Sequence, residues 1–532
     1  PECRTRKEPA ALLISNSLKN VRFLAVLALL AAAAGCGGGT PVLPHPTGNF
    51  SNASFKGSYV FEMRGAVLAD SAGDLVPYRE VGVITADGNG KITGGTDAAA
   101  AFGSVLPNST SISGSYAIGQ DGTGQITLNS SALGAVFSSP INLAVTLSSS
   151  SSAQLLEADF FADGSGTAEL QDSTAIGAAP SGTFVFRIHQ DSTAQNNASA
   201  SQVGVLALST GNVTGGSMDQ NLLPGGSSSP AITGGNLATP TSMGAGTGSF
   251  TDNSPNTTDF FYYIVNRGKF VLLVSDPGAV GSGRAEAQSG PVAGGLSGTY
   301  AFGSRGDGIN GGTAAVATVG QFTAGGGSFS GALDAMVDGI PSGTLTFTGT
   351  PQATSPQGRT QVAVTGGGAP TMIFWMVSPS RAFFLNENEN FQNPTESASE
   401  DGTADLQTAS SFSAGTIKGQ YALAMDGVDL STLQIGEPVQ AVGRIATLQF
   451  DGSGKITLVE LVNDSLSGSG AQSPGTLGGS YQVGKSGRIT TQITNNNQAG
   501  PDLVLYAVSP SQAYALQTDP QENTSGTIAL QQ

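Results

Sequence analysis

Gly57-Ser58-Tyr59-Val60-Phe61 is the stretch from which the rest of the chain can be read. Tyr59 and Phe61 fall two residues apart and so share one face of an extended strand, with the glycine as its flexible start. The pattern returns as Gly182-Thr-Phe-Val-Phe186, Gly298-Thr-Tyr-Ala-Phe302 and Gly419-Gln-Tyr-Ala-Leu423, at spacings of 125, 116 and 121 residues. A second motif keeps step with it. Gly166-Thr-Ala-Glu-Leu-Gln171 returns as Gly283-Arg-Ala-Glu-Ala-Gln288, Gly402-Thr-Ala-Asp-Leu-Gln407 and Gly526-Thr-Ile-Ala-Leu-Gln531, spaced by 117, 119 and 124. Two landmarks with one period mean a single unit repeated four times.

Within the first unit, alternation and turn residues predict eight short strands beginning near Gly57, Tyr78, Lys91, Ser111, Gly124, Ile141, Gln154 and Gly166. Hairpin turns are expected at Asp87-Gly88-Asn89-Gly90, Asp121-Gly122-Thr123-Gly124 and Asp163-Gly164-Ser165-Gly166, because Asp and Gly supply the positive φ of tight turns. Eight meandering strands in a unit of this size predict an all-β fold of four tandem antiparallel domains. Each is expected to be an eight-stranded up-and-down barrel, which leaves no open edge; a β-sandwich is the alternative. The expected units are residues 54–172, 181–288, 297–407 and 417–532, strung as beads on short linkers near 173–180, 289–296 and 408–416.

Ahead of the repeats, Lys19 and Arg22 precede an unbroken apolar run, Phe23 to Ala34, that is too short to span a bilayer as a helix but suits the core of an export signal. It ends in Ala33-Ala34-Gly35-Cys36. This segment resembles the lipobox of bacterial lipoproteins, with Ala33 where that family more often has Leu. The resemblance implies a signal peptide over residues 1–36, acylation of Cys36 and a membrane anchor, followed by a flexible tether over 37–53. Gly37, where an Asp would favour the inner membrane, implies a place in the outer membrane. The recurring openings also resemble those of uncharacterised bacterial repeat lipoproteins, a likeness that carries no functional residue.

Charge and cysteine content narrow the function classes. The chain has 21 basic and 38 acidic side chains, net −17. Loss of residues 1–36 would remove Arg4, Arg6, Lys7, Lys19, Arg22, Glu2 and Glu8 and bring the net charge to −20. Such a field repels phosphate backbones and anionic lipid heads, so no nucleic-acid partner is expected and attachment to a membrane would be covalent. Of the two cysteines, Cys3 would leave with the signal, so no intramolecular disulfide is possible in the mature chain.

The candidate chemical motifs read more simply as structure. Gly479-Ser-Tyr-Gln-Val-Gly484-Lys485-Ser486 matches a phosphate-loop pattern, yet Tyr481 and Val483 alternate as a strand and no helix follows. Arg305-Gly306-Asp307 spells an adhesion tripeptide at a position where the other copies also carry a polar residue and Gly. The Asp-Gly-x-Gly turns, including Asp451-Gly-Ser-Gly454, offer one carboxylate each, too few for calcium. The densest acidic loop, with Glu387, Glu389, Glu396, Glu400 and Asp401, is the weak calcium candidate. The chain has two histidines, His45 in the tether and His189 on the opening strand of the second unit; the aromatic face should point inward and His189 to solvent. Glu157 and Asp159 lie two residues apart and could support carboxylate chemistry on a glycoside, but read as a solvated outer face without counterparts in the second copy. No catalytic residue, cofactor or metal is therefore expected.

These readings together predict a non-catalytic, membrane-anchored cell-surface lipoprotein acting in adhesion, extracellular binding of a protein or glycan, or envelope structure. The alternatives are a carrier of a small apolar ligand in lipocalin-like barrels and, more weakly, a carboxylate-based carbohydrate-active enzyme.

Overall fold

The computed structural model describes residues 48–532 except for 69–74, 107, 110, 130–139, 193–198, 224–225, 310–313, 367–370, 388–396, 431–439, 465–469, 474 and 496–497. Cys3, Cys36 and His45 lie outside the described residues. The fold is four closed eight-stranded antiparallel barrels, here called barrel 1 (residues 56–170), barrel 2 (182–287), barrel 3 (298–406) and barrel 4 (418–530). In barrel 1 the strands run Lys56–Leu68, Leu75–Asp87, Lys91–Ala101, Ser113–Ile118, Thr123–Asn129, Ile141–Ser149, Ser152–Glu157 and Ala162–Leu170, each paired with the next. The first and last strands close the ring, so neither keeps an open edge.

The two recurring motifs are the two sides of that closure. Tyr59 of the opening strand sits opposite Leu170 of the closing strand, and Phe61 opposite Ala168. Gly57 adopts φ 119°, and a Cβ there would come within 2.8 Å of a Leu170 methyl. The same glycine-against-leucine contact recurs at Gly298 with Leu406 and at Gly419 with Leu530. The motif tyrosine fills the barrel with its ring and spends its hydroxyl on a hairpin carbonyl: Tyr59 donates to Ser150 O (2.6 Å), Tyr300 to Pro379 O (2.7 Å) and Tyr421 to Pro510 O. Behind it the interiors are packed with aromatic rings. Phe55 stacks on Tyr59 at 4.2 Å in barrel 1, and in barrel 3 Phe322 contacts Tyr300, Phe302, Phe329 and Phe374 at 4.6–6.0 Å.

Two of the three expected hairpin turns form as read. Asp87 Oδ1 accepts the N–H groups of Asn89 (2.6 Å) and Lys91 (3.0 Å), and Asp451 Oδ1 does the same for Ser453 and Lys455 in barrel 4. Asp121 caps Thr123. The third is different. Asp163-Gly164-Ser165-Gly166 is the middle of the closing strand, not a turn. Its glycines answer a steric need: a Cβ on Gly166 would lie 2.1 Å from Glu62 O across the ladder, so only glycine permits this tight strand crossing.

The barrels are not separate beads. Each buries part of its outer wall against the next. Val60, Val81, Val83, Ala98 and Ala100 of barrel 1 pack on Tyr263, Val265, Val271, Leu273 and Val280 of barrel 2. Val185, Val203 and Val205 of barrel 2 meet Ile373, Trp375, Val377, Phe383 and Leu385 of barrel 3. Ala301, Ala317, Val319 and Met336 of barrel 3 meet Val504, Tyr506, Val508, Tyr514 and Leu516 of barrel 4. The fourth contact returns to the start: Ala424, Ile445, Val459 and Leu461 of barrel 4 cover Ala144 and Leu156 of barrel 1. Every interface joins the opening strands of one barrel to the sixth, seventh and eighth of the next. A head-to-tail contact that closes after four steps makes a ring.

The last residue of the closing motif latches each step. Gln171 donates from Nε2 to Met243 O and Ile264 O of barrel 2, Gln288 to Gln357 O and Met376 O of barrel 3, and Gln407 to Ser486 O and Ala507 O of barrel 4. Gln531 donates to Asp121 O (2.8 Å) and Leu147 O (2.7 Å) of barrel 1. The residue after each glutamine repeats the step with its backbone N–H, on Val265 O, Val377 O, Val508 O and Ser148 O respectively.

Candidate functional site

Side chains on the outer face of the opening and closing strands meet where the four barrels come together. Five residues beyond the opening glycine stand Glu62, Arg187, Gly303 and Ala424; one residue beyond the closing-motif glycine stand Thr167, Arg284, Thr403 and Thr527. All eight line one cavity of about 280 Å³, joined by Arg64, Arg305, Arg381, Asp405, Asp426 and Tyr514. Each barrel contributes, so the site exists only in the closed ring.

Its charge is unbalanced. Five arginines (Arg64, Arg187, Arg284, Arg305 and Arg381) face three carboxylates (Glu62, Asp405 and Asp426) on the lining, in a chain whose net charge is −17. All of the pairs but Arg381–Asp405 cross from barrel to barrel. Arg284 holds Glu62 at 2.9 Å, and Arg381 holds Glu286 at 2.9 Å and Asp405 at 3.1 Å. Arg64 and Arg305 share the single carboxylate of Asp426. Burial works against the Glu62 charge, yet Arg284, Arg187 and Arg64 outweigh it and hold its carboxyl below the usual range. At Asp426 burial prevails and its pKa is raised. Arg187 makes no ion pair or hydrogen bond among the described residues. Its guanidinium lies 5.8 Å from the Phe383 ring centre, a ring it shares with Arg381.

The sequence matches no known family model and no curated protein. Among solved structures, the isotype 1 transferrin binding protein B from serogroup B Neisseria meningitidis is similar at 7% identity over 71% of this chain and 83% of that one, with a TM-score of 0.18. The intact Ap-TbpB, with its N and C lobes, is similar at 7% identity over the same shares, with a TM-score of 0.16. Scores this low carry no argument about fold or function.

The structure relocates several residues singled out in the sequence. His189 does not face solvent: its side chain is 15% exposed, with Nδ1 3.1 Å from Ser201 Oγ and Nε2 3.4 Å from Asp191 Oδ1. The outer face of its strand is covered by the neighbouring barrel. Glu157 is completely buried rather than solvated, on the same face of its strand as the core residue Leu155. Burial, then the Asp159 carboxylate, push the Glu157 pKa well above its ordinary value. Asp159 does have counterparts: it accepts the backbone N–H of Asn142, as Asp276 does that of Asp259 and Asp519 that of Asp502. The two acids thus lie close together but take different places, Glu157 a core position and Asp159 a turn cap.

The acidic candidates in barrel 3 also separate. Glu400 and Asp401 are not in a loop but adjacent on the strand Ser397–Leu406, hence on opposite faces. Glu400 is buried inside barrel 3, taking hydrogen bonds from Ser304 (2.6 Å) and Asn386 (2.5 Å), while Asp401 turns towards His189 of barrel 2, 3.9 Å away. Glu387 ends the strand Arg381–Glu387; Glu389 and Glu396 lie outside the described residues. Among the described residues no group of His, Cys, Asp or Glu is arranged to hold a metal ion. Arg305 of the adhesion tripeptide is committed to Asp426, and Gly484 to Gly487 form the hairpin turn expected in place of a phosphate loop.

Sequence reasoning missed the axial cavity altogether. Its charges are dispersed one to three per repeat, and only alignment of the four copies on their motif glycines brings Glu62, Arg187, Gly303 and Ala424 to one place.

Proposed function

We propose that this chain is a non-catalytic, lipid-anchored protein of the bacterial cell surface, in which Cys36 carries the anchor, residues 37–53 act as a tether and the ring of barrels is a rigid head for extracellular binding. The observation that supports it most is the filled interior of each barrel. Tyr59, Phe61 and Met63 and their counterparts occupy the space where a lipocalin-like carrier would hold its ligand, so the outer surface and the axial cavity remain as functional ground. The complete burial of Glu157, with Asp159 engaged at Asn142, likewise counts against a carboxylate-based glycosidase, which needs both acids open to one sugar.

The test is metabolic labelling with an alkyne fatty acid, with fractionation and surface proteolysis of intact cells. The native chain should take label, sediment with the envelope and be cleaved from outside, and Cys36→Ser should lose the label and appear in the soluble fraction. An unlabelled native chain, or a Cys36→Ser chain that stays in the envelope, rejects the anchor. A labelled chain protected from external protease rejects the surface location alone.

A further inference from the structure

We infer that the axial cavity is a binding site for a small oxyanion, of the phosphate or sulfate class, with Arg187 as its principal ligand. The lining carries two more arginines than carboxylates, and the surplus is located: Asp426 serves both Arg64 and Arg305, and Arg187 has no carboxylate within ion-pair or hydrogen-bond distance among the described residues. A second donor is also unused, since Arg284 Nε is buried with no acceptor. An unpaired guanidinium drawn out of bulk water is costly unless an anion or water replaces what it lost. A planar guanidinium matches two oxygens of a phosphate or sulfate, which makes Arg the suited residue for such a site.

The internal repeats give an independent line. Position for position, Arg187 corresponds to Glu62, Gly303 and Ala424. A glutamate there finds Arg284, and glycine or alanine need no partner. Gly303 lies under the Tyr514 ring and Ala424 ends at a methyl, so neither brings a charge to the cavity, whose volume of about 280 Å³ is ample for a tetrahedral oxyanion with residual water. Arg187 thus brings a charge to a cavity to which two of its three counterparts bring none. Burial, with repulsion from Arg284 and Arg64, outweighs attraction from the more distant Asp401 and Glu62 and lowers the Arg187 pKa, the direction expected for a cation without a carboxylate in contact.

The experiment is thermal unfolding and calorimetric titration of the full chain with inorganic phosphate, against sodium chloride at matched ionic strength. Phosphate should raise the melting temperature saturably where chloride does not. Arg187→Gln should melt no lower than the native chain without phosphate, because it removes an unpaired buried charge, and should lose the phosphate increment. Glu62→Gln, which releases Arg284, should keep or strengthen it. If Arg187→Gln does not yield folded protein, Arg187→Lys, which keeps the charge but loses the fork, should bind phosphate at least about tenfold more weakly. A native chain with no saturable phosphate shift, an unchanged shift in Arg187→Gln, or native affinity in Arg187→Lys overturns the proposal.

Discussion

Replacing Gln531 by Leu tests whether the ring closes. Gln531 is the fourth latch, and unlike the other three it joins segments far apart in sequence: its partners Asp121 and Leu147 lie 410 and 384 residues away. Leu keeps the volume and removes both donors. Two hydrogen bonds contribute about 1 kcal/mol each net; Asp121 O keeps a longer bond from Gln420 Nε2 (3.3 Å), and loss of the Gln531 donor at Leu147 O adds about 1 kcal/mol more, so a loss of roughly 2–4 kcal/mol is expected. How this appears depends on cooperativity. With an unfolding entropy of roughly 2.1 cal/mol/K per residue, it lowers the melting temperature by about 2–4 °C if the ring unfolds as one body, and by about 8 °C or more if barrel 1 unfolds alone. Differential scanning calorimetry of Gln531→Leu beside Gln171→Leu, Gln288→Leu and Gln407→Leu reads both quantities. A closed ring makes all four equivalent. A neutral Gln531→Leu beside three destabilised variants would refute closure and restore an open array.

Other outcomes follow from single contacts. Asp219 is 0% exposed in its side chain and receives Arg359 through both Nε and Nη2 at 2.7 Å together with Trp375 Nε1 at 2.7 Å, so Asp219→Ala should cost about 3–5 kcal/mol by urea unfolding, and Asp219→Ala/Arg359→Ala markedly less than the sum of its singles. The raised pKa of Glu157 means the folded state holds a proton that the unfolded chain releases above the ordinary 4.5. Stability from this group is therefore full below that pH and falls as pH rises above it, and Glu157→Gln should flatten the slope and stabilise barrel 1 at neutral pH. Asp451, fully exposed and taking hydrogen bonds from its own turn, has its pKa lowered to about 2. Its contribution is present above 3.8 and lost as pH falls towards 2, and an NMR titration of its carboxyl carbon with a midpoint near 4 would contradict the turn geometry.

The barrel was legible because its determinants are local. Glycine-aromatic openings, Asp-Gly turns and strand alternation each act within a few residues, and the repeat multiplies the signal fourfold. The ring was not, because its determinants are read only across repeats. Val60 between Tyr59 and Phe61, and Val185 between Phe184 and Phe186, make both faces of the opening strand apolar, which a barrel with a solvated exterior does not need. That double-sided pattern was the available sign of a covered outer wall, as the glutamine ending all four closing motifs was of the latch. Asp163-Gly-Ser-Gly166 misled for a related reason: glycine serves close strand crossing as well as turns, and composition alone does not separate the two.

The four interfaces share one geometry but not one chemistry, and the difference specifies how the ring is put together. At matching positions across successive contacts stand Ala98 with Ala245, Asp219 with Arg359, Asp334 with Arg488, and Leu461 with Thr123. Where an aspartate occurs, the next barrel supplies an arginine and an aromatic donor: Trp375 for Asp219, and Tyr506 for Asp334 at 2.7 Å. Where it does not, both sides are uncharged. A head-to-tail surface repeated four times could as well link barrels from different chains into an open polymer. Barrel 2 of another molecule seated behind barrel 4, in place of barrel 1, sets Ala245 against Leu461 and costs little at these positions. Seating barrel 3 behind barrel 1, or barrel 1 behind barrel 3, buries Arg359 against Ala98 or Asp334 against Thr123, an unpaired charge in each case. The charged pairs therefore restrict barrels 3 and 4 to places behind a barrel that carries the aspartate, and the covalent path and the latches set their order and leave barrel 1 as the one that completes the ring.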